Sequence, residues 1–397
     1  MAASLRILSL VKRGCALLVF QDPIMSLVDS ICVGQYGSTL ELAALGPNLV
    51  IFNFVTFSFS FLAIGTTLRV SSALAANNAK QASDTVATAL LISVISGALI
   101  VAFMVVFAQP TLAATGAVPE LLPVAAGYLA VRIWACPAVL ATTVLQSGLL
   151  AQRDSFTCLL AVLISAAVNV VGDIWLICQM KMGLVGAAWA TAVGNYISLG
   201  VLWVLGYTSW GEALRDKWGG GGAGGGEGKA HGSSGLRVKW HWPTSSEMAS
   251  FNEALGPLFF IALCKNICYL MLQSVSTTFS TVTCAAHQAM WSVWAICSFC
   301  PTPLEQAAQV LLPRHVRQDT ARASMRGKDA MPAGFRASRE FVKCLGLVGM
   351  VTGLLLGTIT AVVARHPHWL TPDTALYGMP VSVGLFCSLI GLFLGLL

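Results

Sequence analysis

Two acids, Asp22 and Asp29, lie seven residues apart in FQDPIMSLVDSICVG, a stretch otherwise apolar enough to cross a lipid bilayer. A second constellation sits in NVVGD, where Asn169 precedes Asp173 by four residues and so shares one helical face with it. The apolar segments on either side of QMKMG read as an antiparallel hairpin, with Asp173 on one arm and Thr191 on the other. At ~1.5 Å per residue these two share a depth of roughly 13 Å, and Asp29, counted back from the connection Gln35 to Thr39, lies about 12 Å deep. Asp29, Asn169, Asp173 and Thr191, from three helices, are therefore expected at one level.

An ionised acid in mid-membrane costs ~2.5–3.5 kcal/mol on insertion scales, so such a group is expected to face a cavity, find partners or take up a proton. From the residues alone two readings stay open: a site that gains and loses a proton, or polar bonding between neighbouring helices. Asp22, two turns further toward the basic side, stands beside Pro23, which removes a backbone donor and invites a kink. The pair is a relay or hinge candidate, with capping of a broken helix as the alternative. Arg132 and Lys265 are the basic residues expected inside spans, and with Glu305 they are cavity candidates. Met25, Phe52, Phe54 and Phe57 are candidate lining residues, unless they are ordinary core or lipid-facing side chains.

Positioning these residues requires membrane helices. Of 397 residues, 56% are hydrophobic and only 10% charged, far to the apolar side of soluble proteins. Apolar stretches long enough to span lie near 8–33, 40–62, 86–108, 122–150, 158–178 and 184–205, then 248–277, 284–312, 341–363 and 376–397, about ten in all. Connections on one face carry Arg6, Lys12, Arg13, Arg69, Lys80, Arg153 and the basic runs 215–239 and 314–343, whereas the other face has Lys181 and Arg365. This asymmetry puts the amino terminus on the cytoplasmic or equivalent side. It also accounts for the net charge of +6 without nucleic acid. The first residues, MAASLRILSLVKRG, faintly resemble an organelle transit peptide.

The low-complexity run WGGGGAGGGEGKAHGSSG divides the chain into an amino-terminal six-helix lobe (1–206), a Gly-rich cytoplasmic-side linker (207–247) and a partial four-helix lobe (248–397). A phosphate-cradling loop is not expected there, since Gly228 and Lys229 are followed by Ala230 and no strand precedes them. Cys297 and Cys300 form a CxxC inside a span with no second pair, which argues against zinc and redox chemistry. His287 has no HxxxD or DxxD cluster beside it, so a membrane enzyme is disfavoured.

Several segments resemble the multidrug and toxic compound extrusion (MATE) transporter family. SLVDSICVGQYGSTLELAALGP is similar to that family's first helix and its entry into the second, and RIWACPAVLATTVLQSGLLAQRD to its fourth. NVVGDIWLI with GLVGAAWAT resembles the fifth and sixth helices, the most specific part. CAAHQ and EQAAQVLLP resemble the plant and algal plastid branch, related to bacterial DNA-damage-inducible members.

The resemblance implies an all-α, polytopic helix bundle in two lobes, with the second lobe truncated to give about 10 of 12 helices. It implies a secondary active transporter, not an enzyme: a proton- or sodium-coupled antiporter that exports organic or xenobiotic compounds by alternating access. Coupling through Asp29, Asn169, Asp173 and Thr191 follows from the related bacterial branch. Other branches use an acid in helix seven, where this chain has Lys265. The missing final helices read as an incomplete gene model or a damaged, non-functional transporter. Expected partners are the lipid bilayer and a small organic substrate, with no nucleic acid, no metal and no cofactor beyond the coupling ion. A monomer is expected, in the plastid envelope or otherwise the plasma or vacuolar membrane. The rival reading within the superfamily is a lipid or polyprenol-linked flippase, which needs a more basic cavity.

Overall fold

The computed structural model describes residues 32–33, 39–115, 121–152, 154–208 and 336–365, with scattered positions between 242 and 268 and between 306 and 320. Asp22, Pro23, Asp29, Lys265, Glu305, His287, Cys297, Cys300 and the Gly-rich run lie outside the described residues. All regular structure among the described residues is helical. The helices are α1 (Thr39–Ser58), α2 (Ser60–Ala75), α3 (Ala79–Ala114), α4 (Leu122–Arg132), α5 (Cys136–Ala151), α6 (Ser155–Asp173) and α7 (Gly183–Tyr207). A shorter apolar helix α8 (Leu255–Cys268) and α9 (Arg336–Arg365) follow. Among the described residues, five segments are long and apolar enough to cross a membrane: Phe54–Ala75, Ala79–Ala114, Leu122–Ala151, Ser155–Gln179 and Gly183–Tyr207. The chain is a multi-pass membrane protein.

Two compact units are present, Ile24–Asn266 and Met1–Pro23 with Ile267–Leu397. In the first, α1 and α2 form a nearly continuous rod interrupted at Phe59. The helix runs on to Ala75, well past the expected span end at residue 62, because Thr66, Thr67 and Ser71 point inward and are buried. Thr67 satisfies its hydroxyl on the Ala63 carbonyl at 3.0 Å, as a polar side chain in a helix commonly does. Asn77, with φ of +55°, reverses the chain into α3, a conformation that Asn tolerates better than most residues. Asn78 then caps α3 by accepting from the Gln81 backbone N–H at 3.0 Å. Pro110 lies inside α3, and the helix is irregular three residues earlier, at Phe107.

The inward faces are built from small residues, which let helices meet closely. A Cβ at Gly97 would lie 2.8 Å from the Pro137 nitrogen, so α3 and α5 approach backbone to backbone. Gly148 leaves room for the Tyr207 hydroxyl, which donates to the Leu145 carbonyl at 2.7 Å and ties α7 to α5. Core packing is centred on Leu45, Leu112, Leu129, Ile133 and Leu184. Large apolar side chains such as Leu99, Val105, Val106, Phe156 and Val171 point outward, as lipid requires. In the other unit, buried Asp319 holds the start of α9 by accepting from the Ser338 backbone N–H and hydroxyl, both at 2.7 Å. Phe341 is buried there against Leu311.

Candidate ion-coupling site

Asp154 starts α6 by accepting from the Thr157 N–H at 3.0 Å and its hydroxyl at 2.7 Å. From that cap, Ser165, Asn169 and Asp173 recur every fourth residue and face α7; all three are fully buried. Ser165 donates to the Gly194 carbonyl at 3.0 Å. Asn169 donates from Nδ2 to Thr191 Oγ1 at 3.1 Å, and that hydroxyl donates onward to the Ala187 carbonyl at 2.8 Å. A Cβ at Gly172 would stand 2.8 Å from the Ala190 Cβ, so glycine is what lets α6 and α7 close on each other here.

Thr191 thus lies opposite Asn169, with Asp173 one turn further toward the connection. The hairpin is offset from a count of uniform rise because Ile174–Gln179 is a π-helix, whose wider turns accommodate an extra residue. Irregularity of this type is common beside functional groups, and this one begins at the residue after Asp173. Its signal is absent from the sequence, since IWLICQ suits an ordinary apolar helix equally well.

The start of α7 is held by a residue that sequence analysis did not single out. Glu41 Oε1 accepts from the Leu184 backbone N–H at 3.1 Å, placing an acid where a helix N-terminus favours negative charge. Gly183 has φ of +55°, and any side chain there would run into the Glu41 carboxylate. Asn48 was also unanticipated: it is fully buried and donates to the Ala44 carbonyl at 2.9 Å and the Ala125 carbonyl at 3.2 Å, joining α1 to α4. The cue was its polar amide directly after Pro47 in an apolar run. Arg132 stands at the end of α4 with its guanidinium over the Phe52 ring, 5.0 Å from the centroid.

Chemically, the hairpin offers a carboxyl, an amide and a hydroxyl shielded from bulk solvent. Asn169 Oδ1 is buried and has no hydrogen-bond partner among the described residues. Its lone pairs can accept from a protonated group or face a small cation. No cluster of three or more His, Cys, Asp or Glu side chains suited to a metal occurs among the described residues.

The MatE family model matches residues 15–175, a range that includes Asn169 and Asp173. Residues 15–175, less than half of the chain, are thus similar to the MatE family. Protein DETOXIFICATION 47, chloroplastic, of Arabidopsis thaliana is 28% identical over 358 residues, which cover 88% of this chain and 58% of that protein. DNA damage-inducible protein F of Escherichia coli is 28% identical over 177 residues, covering 45% of this chain and 39% of that one. The chain therefore spans well under two thirds of the length of these curated relatives. A MOP superfamily transporter from Pyrococcus furiosus, described as having a binding pocket of reverse polarity, superposes with a TM-score of 0.74 at 18% identity, over 99% of this chain and 83% of that one. At that identity the match speaks to the fold, a MATE-like helix bundle.

Proposed function

We infer that this protein is a secondary active transporter that moves a small organic compound across a membrane in exchange for protons or sodium ions, by alternating access. The similarity to the MatE family points to transport, not to catalysis. The observation that carries the coupling role is the Asn169 to Thr191 bond, buried in a membrane hairpin one turn from a fully buried acid. Such a group is expensive to maintain in a span unless it is used. Loading Asp173 with a proton or cation removes its charge, with Asn169 and Thr191 as neighbouring oxygens, and Asp29 is proposed to join them. The loaded and empty forms then favour different openings, since a ligand shifts a conformational equilibrium by its differential affinity for the two states. Asp22 and Pro23 are proposed as relay and hinge, and Lys265 and Glu305 as cavity residues.

The protein is proposed to act as a monomer in the bilayer and to need no cofactor beyond the coupling ion. A plastid envelope location is favoured because the Arabidopsis relative is named chloroplastic, with the plasma or vacuolar membrane as the alternative. The test is uptake of a panel of cationic, anionic and neutral fluorophores into proteoliposomes under an imposed pH or sodium gradient. Gradient-driven uptake that disappears in D173N supports the assignment. Uptake of no compound under either gradient, or uptake indifferent to D173N, rejects it.

A further inference from the structure

Met182, which precedes α7, gives that helix no side-chain cap, although the first backbone N–H groups of a helix find no acceptor within it. The acceptor comes from elsewhere: Glu41, in the first turn of α1, takes the Leu184 N–H at 3.1 Å across 143 residues of sequence. A carboxylate holds such a group more firmly than a neutral acceptor, because the N–H groups there carry the positive end of the helix dipole. Gly183, with φ of +55°, brings the backbone up to that carboxylate, where any side chain would collide with it. The start of α1 is thereby fastened to the closed end of the hairpin formed by α6 and α7.

Behind this anchor lies the segment that follows the buried acid. The Met180 N–H donates to the Trp175 carbonyl and the Met182 N–H to the Leu176 carbonyl, both at 3.0 Å, which ties the turn to the π-helix Ile174–Gln179. A Cβ at Gly186 would stand 3.2 Å from the Leu176 carbonyl carbon, so the first turn of α7 rests on the same residue. Leu176 is three residues past Asp173, and Thr191 is seven past Leu184, about 10.5 Å along α7. The wide turns of the π-helix are therefore held at both ends, by the Asn169 to Thr191 bond on one side and by Glu41 on the other. Moving a single residue into or out of such a turn rotates its neighbours by about 100° around the helix axis. Loosening the Glu41 end frees that rotation, and Asp173 is the first polar side chain it reaches.

We propose that Glu41 is a positioning residue for ion coupling: by holding the first turn of α7 it fixes Asp173 against the Asn169 to Thr191 pair, and so sets how tightly that site takes a proton or a sodium ion. This rests on the coupling role of Asp173. Glu41 acts through Leu184 and the π-helix, not by contact with the ion. Asn169 Oδ1, buried and without a hydrogen-bond partner among the described residues, is the acceptor whose alignment with the loaded acid is at stake.

Loading is measured on the full chain in phosphatidylcholine nanodiscs, sodium by equilibrium binding of the radioactive ion and protons by a pH titration of the infrared band of protonated carboxyl groups. The part of either signal that is lost in D173N reports the site. E41A is expected to raise the half-loading concentration of whichever ion binds by roughly fivefold or more, the lower end of ordinary coupling between sites, with the full extent of loading unchanged. E41Q, which keeps the accepting oxygen without the charge, is expected to recover most of the difference. A structural role alone would lower the extent of loading in E41A and leave half-loading where it was, which overturns the proposal. So does E41Q matching E41A, since the charge of Glu41 would then act on the ion directly. If E41A does not survive purification, E41D, one methylene shorter, is expected to show a smaller rise, and unchanged half-loading in E41D overturns the proposal. Asp173-dependent loading that E41A leaves unmoved counts against Glu41 alone, whereas native protein with no signal lost in D173N overturns the coupling role of Asp173 and this proposal with it.

Discussion

Asn169 and Thr191 are joined across two antiparallel membrane helices by a 3.1 Å hydrogen bond whose acceptor, the threonine hydroxyl, passes its own proton to the Ala187 carbonyl. The bond sits where Gly172 and Gly194 let α6 and α7 come into near backbone contact. The hairpin therefore holds this bond on a closely packed frame, one turn from Asp173.

Removing one end of that bond should cost more than removing both. T191A leaves the buried Asn169 amide without its acceptor, at about 1–3 kcal/mol. T191S keeps the hydroxyl and should restore most of the loss. Thermal unfolding of the purified variants in detergent checks this, and equal loss in T191A and T191S would contradict it.

Close packing gives a second prediction. G172V places a branched side chain where a single Cβ would already stand 2.8 Å from Ala190. It should destabilise by about 1–3 kcal/mol through overpacking and prise the hairpin apart. G200V is the control, because nothing lies within 4 Å of a Cβ at Gly200. Its unfolding temperature should stay close to that of the native chain.

Glu41 and Gly183 are expected to couple. E41A removes the acid from the α7 N-terminus at a cost of about 1–2 kcal/mol. G183A adds a methyl at positive φ that also meets the Glu41 carboxylate. With the carboxylate gone that collision vanishes, so the double variant should be less destabilised than the two singles together by roughly 0.5–3 kcal/mol. A double-mutant cycle by thermal or denaturant unfolding measures the difference.

Much of this was legible in the sequence, and the exceptions have physical causes. Asn169 and Asp173 share a face because four residues are about one helical turn, and the turn QMKMG announces the hairpin. The full length of α2 was hidden because Thr66, Thr67 and Ser71 look like loop residues when counted by polarity, yet they face neighbouring helices. The π-helix after Asp173 was invisible, since backbone hydrogen bonding and not residue type distinguishes it from an α-helix. Glu41 lay unremarked in the first turn of the expected span 40–62, and its partner at Leu184 is 143 residues away. Arg132 was evident as a cation in a span, while its Phe52 neighbour was one of several phenylalanines with equal claim to line a cavity.

The most direct measurement of the central claim is uptake into proteoliposomes by native protein and D173N, with and without an imposed pH or sodium gradient, on vesicles matched for protein content. Native uptake should rise with the gradient, whereas D173N, which carries no ionisable group at that position, should show the same rate with and without it. Gradient-stimulated uptake of native size in D173N would show that the buried acid of α6 does not carry the coupling ion.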